Sequence, residues 1–385
     1  MLRFSINMRL SFYFFSYFAA IGVFLPYWTV YLKEIKGFEA AQIGELMAVY
    51  MLTKMVAPVI WGWLADRYNN LSMMVRIACA LTMLSFSVNY VSDGYLGIML
   101  VMACFGFFWT AALSPFEALT LNHLGENTDR YSRIRLWGSV GFIVTVLVLP
   151  FLIESQGLPL VLDAMLILFL VIFIAACLVP NKNQSAQSVN DSRIWDVLRK
   201  PAVIVLLIAC GLNIASHGTY YTFFTIYMND HGYSEVFIGW MWALGVICEV
   251  VLFASMHLLM KRFSASQLFI AAMFITALRW FLLGAFVDSI VILIFAQLLH
   301  AATFGLFHAS AIHLIHGYFP GRLQARGQAL YSGLSTGLGG AIGGLMSGYA
   351  WDSIGNEMTF YVSGFIALLS GVIAWIWVGE RSTSI

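Results

Sequence analysis

Ile43–Tyr68 reads IGELMAVYMLTKMVAPVIWGWLADRY, and this stretch decides the fold. It is apolar over the length of a membrane-crossing helix, with one lysine, Lys54, near its middle, and it closes on a charged turn at residues 62–67. An ungapped second copy begins 195 positions later, Ile238–Phe263, IGWMWALGVICEVVLFASMHLLMKRF. Ile43-Gly44 falls on Ile238-Gly239, Ala48 on Ala243, and Arg67-Tyr68 on Arg262-Phe263. At the midpoint Lys54 falls on Glu249. Each half of the chain thus buries one ionisable group at the same depth, with opposite sign. A repeat that keeps a costly charge at mid-membrane is the mark of a transporter built from two bundles.

Composition narrows the class in the same direction. Of the 385 residues, 61% are hydrophobic and 10% charged, with a mean hydropathy of +0.84. A soluble domain of this size needs far more polar surface, and a β-barrel would alternate apolar and polar residues where this chain runs continuously apolar. The formal net charge is +1 and the basic residues are dispersed, so nothing here suits a nucleic acid. All five cysteines lie in apolar runs and read as small core residues, with no metal or disulfide spacing. The first apolar run lacks a small-residue cleavage site and is expected to stay as the first helix.

Apolar stretches of about 20 residues predict an all-α polytopic membrane protein of twelve transmembrane helices, near 10–32, 40–64, 72–91, 95–120, 136–153, 160–179, 202–228, 236–259, 265–286, 290–316, 326–350 and 358–378. The polar segment between the halves divides the chain into a six-helix bundle at 1–180, a linker at 181–200 and a second six-helix bundle at 201–385. Sixteen of the 20 Lys and Arg fall on one face of this arrangement, Lys33 and Lys36 on the other, and Lys54 and Arg279 inside helices. That bias predicts cytoplasmic termini and a cytoplasmic linker.

Several side chains carry candidate chemistry. Lys54 stands twelve residues from Asp66, roughly 18 Å along a helix, and an isolated central charge costs at least about 3 kcal/mol. It is either ion-paired to a glutamate or a counter-ion for an anionic substrate. Glu249, boxed by Val246, Ile247, Val250 and Leu252, is a candidate to take up and release a proton. Histidines crowd the tenth helix at His300, His308, His313 and His316; no carboxylate accompanies them, so no metal is expected, and His300 is the deeper candidate for proton exchange. One face of helix 1 carries Phe24, Tyr27, Trp28 and Tyr31, and helix 7 carries Tyr220, Phe223, Phe224 and Tyr227. These form either interfacial belts or a cavity that stacks an aromatic ring. Seven glycines between Gly333 and Gly348 allow a tight or a sliding helix contact, with helix 2 as the candidate sliding partner.

Gly62-Trp63-Leu64-Ala65-Asp66-Arg67 resembles the loop signature of the major facilitator superfamily, which implies a conformational latch at Gly62, Asp66 and Arg67. The second copy has Lys261 in place of Asp66, so the signature is complete only once. Pro115-Phe116-Glu117-Ala118, the run Arg133 to Gly141, Glu249, Arg279, His300 and the glycine-rich stretch after Gly327-Gln328 are similar to the lactose permease branch and most of all to the phenylpropionate permease family. That resemblance spans nearly the whole chain. It implies the major facilitator fold, a Glu117–Arg135 pair at a substrate site, and substrate binding and proton coupling through Glu249, His300 and Arg279. Lys54, as a counter-ion, and Trp28, on the aromatic face of helix 1, join the expected substrate site on their own chemistry and not by the resemblance. The chain departs from the lactose permease pattern at Gln297, where a lysine is expected, and at Thr303, where the proton-carrying glutamate is expected. The sugar carrier's relay therefore does not carry over intact.

The expected function is proton-coupled import of 3-phenylpropionate or a related aromatic acid across the bacterial inner membrane, by a monomer without cofactors that meets only substrate, protons and lipid. A proton-coupled sugar or nucleoside permease is the alternative. A membrane enzyme is disfavoured by the absence of HExxH, a nucleophile elbow or a Walker lysine motif.

Overall fold

The computed structural model describes residues 5–68, 70–182 and 194–378. Among them the chain is helical throughout its ordered elements, with no strand. Helices are the expected outcome, because a segment in lipid must satisfy its own backbone N–H and C=O groups. We label the long helical stretches α1 (Ile6–Glu34), α2 (Ala40–Tyr68), α3 (Leu71–Tyr90), α4 (Tyr95–Leu124), α5 (Thr128–Gln156) and α6 (Leu160–Leu178). The second half holds α7 (Pro201–Asp230), α8 (Glu235–Arg262), α9 (Ala265–Ala285), α10 (Ile290–Tyr318), α11 (324–354) and α12 (Asn356–Val378). By length and composition, 11 of the described stretches can cross a membrane. The other, α11, is helical over its whole length, with a polar start at Gln324–Tyr331 and glycines through the rest.

Two compact units form, residues 1–187 with 233–243, and residues 188–232 with 244–385. Of the linker 181–200, residues 183–193 lie outside the described residues, as do Arg3 and Arg381, and Ile194–Leu198 is a short helix.

In the first unit α1 and α5 run parallel: Gly141 meets Phe15, and further along Gly22 meets Phe142 and Thr145. A methyl group on Gly141 would stand 2.1 Å from the Phe15 carbonyl oxygen. In the second unit, Gly339 and Gly343 of α11 pack on Gly211 and Ala215 of α7, so there the glycines serve a close α7–α11 contact. A Cβ on Gly343 would sit 2.2 Å from the Ala215 carbonyl oxygen. Gly343→Ala is therefore expected to cost about 2–3 kcal/mol through overpacking, read as a lowered melting temperature in detergent. Gly317→Ala, where nothing lies within 4 Å of the added carbon, should leave that temperature unchanged or raise it.

The structure corrects one local expectation. Residues 62–67 are the last turns of α2, which runs on to Tyr68. Gly62 is tolerated inside a helix, and the stop comes later, where the Asn70 side chain caps α3 by accepting from the Met73 amide. Three stretches have π-type geometry: Phe24–Trp28, Ala301–Leu306 and Ser332–Gly339. The first contains Pro26, whose missing N–H breaks the regular ladder.

Candidate functional site

In the first unit Lys54 lies four residues before Pro58, so its carbonyl loses its helical partner. Its ammonium sits over the Tyr50 ring, 5.0 Å from the centroid. Among the described residues of this unit no carboxylate lies within ion-pair distance of Lys54. Tyr50 belongs to a buried aromatic cluster, 4.7 Å from Phe24 and 5.9 Å from both Phe105 and Trp109. Trp28, fully buried, joins it through Phe24 at 6.3 Å and stacks on Tyr31 at 5.2 Å. The aromatic residues of α1 and α7 named from the sequence are all buried inside the protein, so a lipid-facing belt does not describe them.

Tyr17 connects this cluster to a charged pair. Its hydroxyl donates to the Trp109 carbonyl at 3.1 Å, and it lies within electrostatic reach of Glu117 and Arg135. The half-buried Glu117 carboxylate on α4 feels the Arg135 charge and is hydrogen-bonded by the Tyr131 side chain, both from α5. The Arg135 guanidinium lies 3.8 Å from the centroid of the Phe18 ring. A Cβ on Gly138 would approach an Arg135 nitrogen to 2.7 Å, so the glycine leaves room for the side chain to lie along its own helix. The fold thus brings Glu117 and Arg135 together, with Tyr131 as a third member.

At the end of α2, Gly62 is half-buried, and Arg67 is exposed with its guanidinium 5.6 Å from the Trp63 ring. The Asp66 side chain lies outside the described residues.

In the second unit Arg279 of α9 is completely buried and forms the hub. Its Nε donates to the Ala296 carbonyl at 2.9 Å. One terminal nitrogen reaches His300 Nδ1 at 3.1 Å and Thr303 Oγ1 at 3.2 Å, and the other reaches Gln297 Oε1 at 3.0 Å. The guanidinium also lies over the Tyr220 ring at 4.3 Å and the Trp280 ring at 4.7 Å. Tyr220 donates in turn to Gln297 Oε1 at 3.1 Å. A guanidinium can only donate, so His300 Nδ1 is the acceptor and the neutral ring carries its proton on Nε2. That nitrogen lies 3.8 Å from Glu249 Oε2. Gly245 of α8 packs on the His300 ring and Gly305 of α10 on Glu249, which lets the two helices approach at this point. The fold therefore joins Glu249, His300 and Arg279 in one connected group.

Sequence reasoning missed the acceptors. Gln297 and Thr303, the two departures from the lactose permease pattern, both bind Arg279; their spacing of three residues on either side of His300 was the available signal. It also missed Asn213 and His217, one turn apart on α7 and fully buried. His217 Nδ1 donates to the Asn213 carbonyl at 2.8 Å, which leaves Nε2 as a lone-pair acceptor. That atom, both amide atoms of Asn213 and the Gln297 amide nitrogen have no partner among the described residues. Buried polar atoms of this kind are met by water or by the polar groups of a ligand. Among the described residues no group of His, Cys, Asp and Glu could hold a metal ion.

These features can be set beside known proteins. The chain is 29% identical over 363 residues to the Escherichia coli K12 protein named "Probable 3-phenylpropionic acid transporter", covering 92% of this chain and 93% of that one. It is 25% identical to the maltose permease of Geobacillus stearothermophilus, over 96% and 93% of the two chains. Its fold is similar to that of the nucleoside transporter NupG, with a TM-score of 0.84 at 16% identity, covering 98% of this chain and 100% of that one. The profile of the MFS_1-like family matches residues 7–362. The chain belongs to that family: it is an all-α transporter of the major facilitator superfamily, not an enzyme.

Proposed function

We propose that this transporter imports a small aryl carboxylic acid of the 3-phenylpropionate type together with a proton, across the bacterial inner membrane. The observation that carries the reading is Lys54, an ammonium near the middle of α2 that rests on an aromatic ring and has no carboxylate partner among the described residues of its unit. A disaccharide needs no such cation; an aryl acid supplies both the carboxylate for Lys54 and a ring for the neighbouring aromatic residues, Trp28 among them. The name of the Escherichia coli relative supports the same substrate class. In this scheme Glu117 and Arg135 complete the substrate site. Glu249 exchanges the proton, with His300 and Arg279 as its supporting group. A single chain works by alternating access of the bundles at 1–180 and 201–385, with both termini and the linker 181–200 in the cytoplasm. Gly62, Asp66 and Arg67 form the latch.

A sugar or nucleoside substrate is the second reading. It is favoured by the unpartnered polar atoms of Asn213, His217 and Gln297, which suit hydroxyl groups better than an aryl ring. Proteoliposomes with an imposed inward proton gradient separate the two. Under the first reading, labelled 3-phenylpropionate accumulates, about tenfold per pH unit for one proton, while maltose and uridine do not. Accumulation of a sugar or nucleoside without the acid would favour the second.

A further inference from the structure

On the first unit a groove of about 640 Å³ lies between the starting turns of α1 and α5. Its floor includes Met8, Phe12, Phe15 and Trp137, and its rim includes Arg130 and Arg133. The parallel register of α1 and α5 places both starting turns at the same end of two membrane-spanning helices. Met8 is 55% exposed, Phe12 40% and Trp137 50%, so a continuous aromatic and aliphatic surface is left open there. Both arginines are exposed, and their side chains make no hydrogen bond or ion pair with any described residue.

Arg130 and Arg133 are three residues apart at the start of α5, so they project to neighbouring positions on one face. Each planar guanidinium can hold a phosphate through two parallel N–H bonds. A site with two cations at the rim and an apolar floor leading into the helix pair matches an amphiphile with an anionic head and a long chain. A choline head would set a third cation beside two guanidinium groups, and a free anion would leave the floor uncovered. We propose that the groove is a binding site for an anionic phospholipid. Its phosphate is held by Arg130 and Arg133, and one acyl chain lies across Phe12, Phe15 and Trp137. This site is separate from the substrate residues, and the inference does not rest on the substrate assignment.

Native mass spectrometry of the detergent-purified protein, titrated with phosphatidylglycerol or phosphatidylcholine, tests the assignment. Wild type should bind phosphatidylglycerol preferentially. Arg130→Gln/Arg133→Gln should lose roughly 30-fold in that preference, and Arg133→Gln alone roughly fivefold, as expected for two and one basic groups at an anionic surface. Arg130→Lys/Arg133→Lys should keep most of it, and Phe12→Ala should weaken retention of either lipid. An unchanged preference in the double glutamine variant would overturn the proposal. So would displacement of the lipid by millimolar glycerol phosphate, which would make the groove a site for free anions.

Discussion

Glu249→Gln is expected to abolish accumulation driven by a pH gradient while leaving substrate binding and exchange across the membrane intact. The expectation follows from which atoms of the connected Arg279 group can accept a proton. His300 Nδ1 already accepts from Arg279, so a second proton on that ring would point at another N–H donor. Arg279 has only donors, and Gln297 and Thr303 are neutral. The Glu249 carboxylate, 3.8 Å from the protonated face of His300, is left as the acceptor. Gln keeps the shape of a protonated carboxyl and fixes the neutral state. A carrier locked in that state can reorient with substrate but cannot return a proton, so the tenfold gain per pH unit falls to no gain. Counterflow of labelled against unlabelled substrate, measured beside uptake, checks both halves. If Glu249→Gln still concentrates substrate, the proton travels elsewhere.

Much of the fold was open to reading because lipid leaves the backbone few choices. Apolar runs of about 20 residues become helices, and the observed helices fall close to the stretches marked from residues 10–32 to 358–378. The start of α5 was placed late: Tyr131, Arg133 and Arg135 are polar, yet they are helical, because α4 and α5 extend beyond their apolar cores. The π-type stretches were not legible, since a run such as Ala301–Leu306 has nothing in its composition to mark a change of hydrogen-bond register. The Arg279 group shows the same limit for the candidate site. Arg279 and His300 stand out as charges in apolar helices, whereas Gln297 and Thr303 become ligands only once α9 packs on α10. Asn213 and His217 depend likewise on the burial of α7.

Lys54→Gln is the second large effect expected, and it bears on the central claim that this transporter selects an acid. Among the described residues of its unit the ammonium has the Tyr50 ring and no carboxylate, so an unmatched charge is held where it costs at least about 3 kcal/mol. A substrate carboxylate would relieve that cost on binding. Removing one partner of such a charge pair weakens binding by about 2 kcal/mol or more, thirtyfold or greater in affinity. A neutral analogue gains nothing from Lys54 and should be affected far less. The direct measurement is competition for transport by 3-phenylpropionate and by its amide, in wild type and Lys54→Gln. The account predicts that the acid loses at least about thirtyfold in affinity relative to the amide. Equal losses for the two compounds would contradict it and leave Lys54 a structural charge.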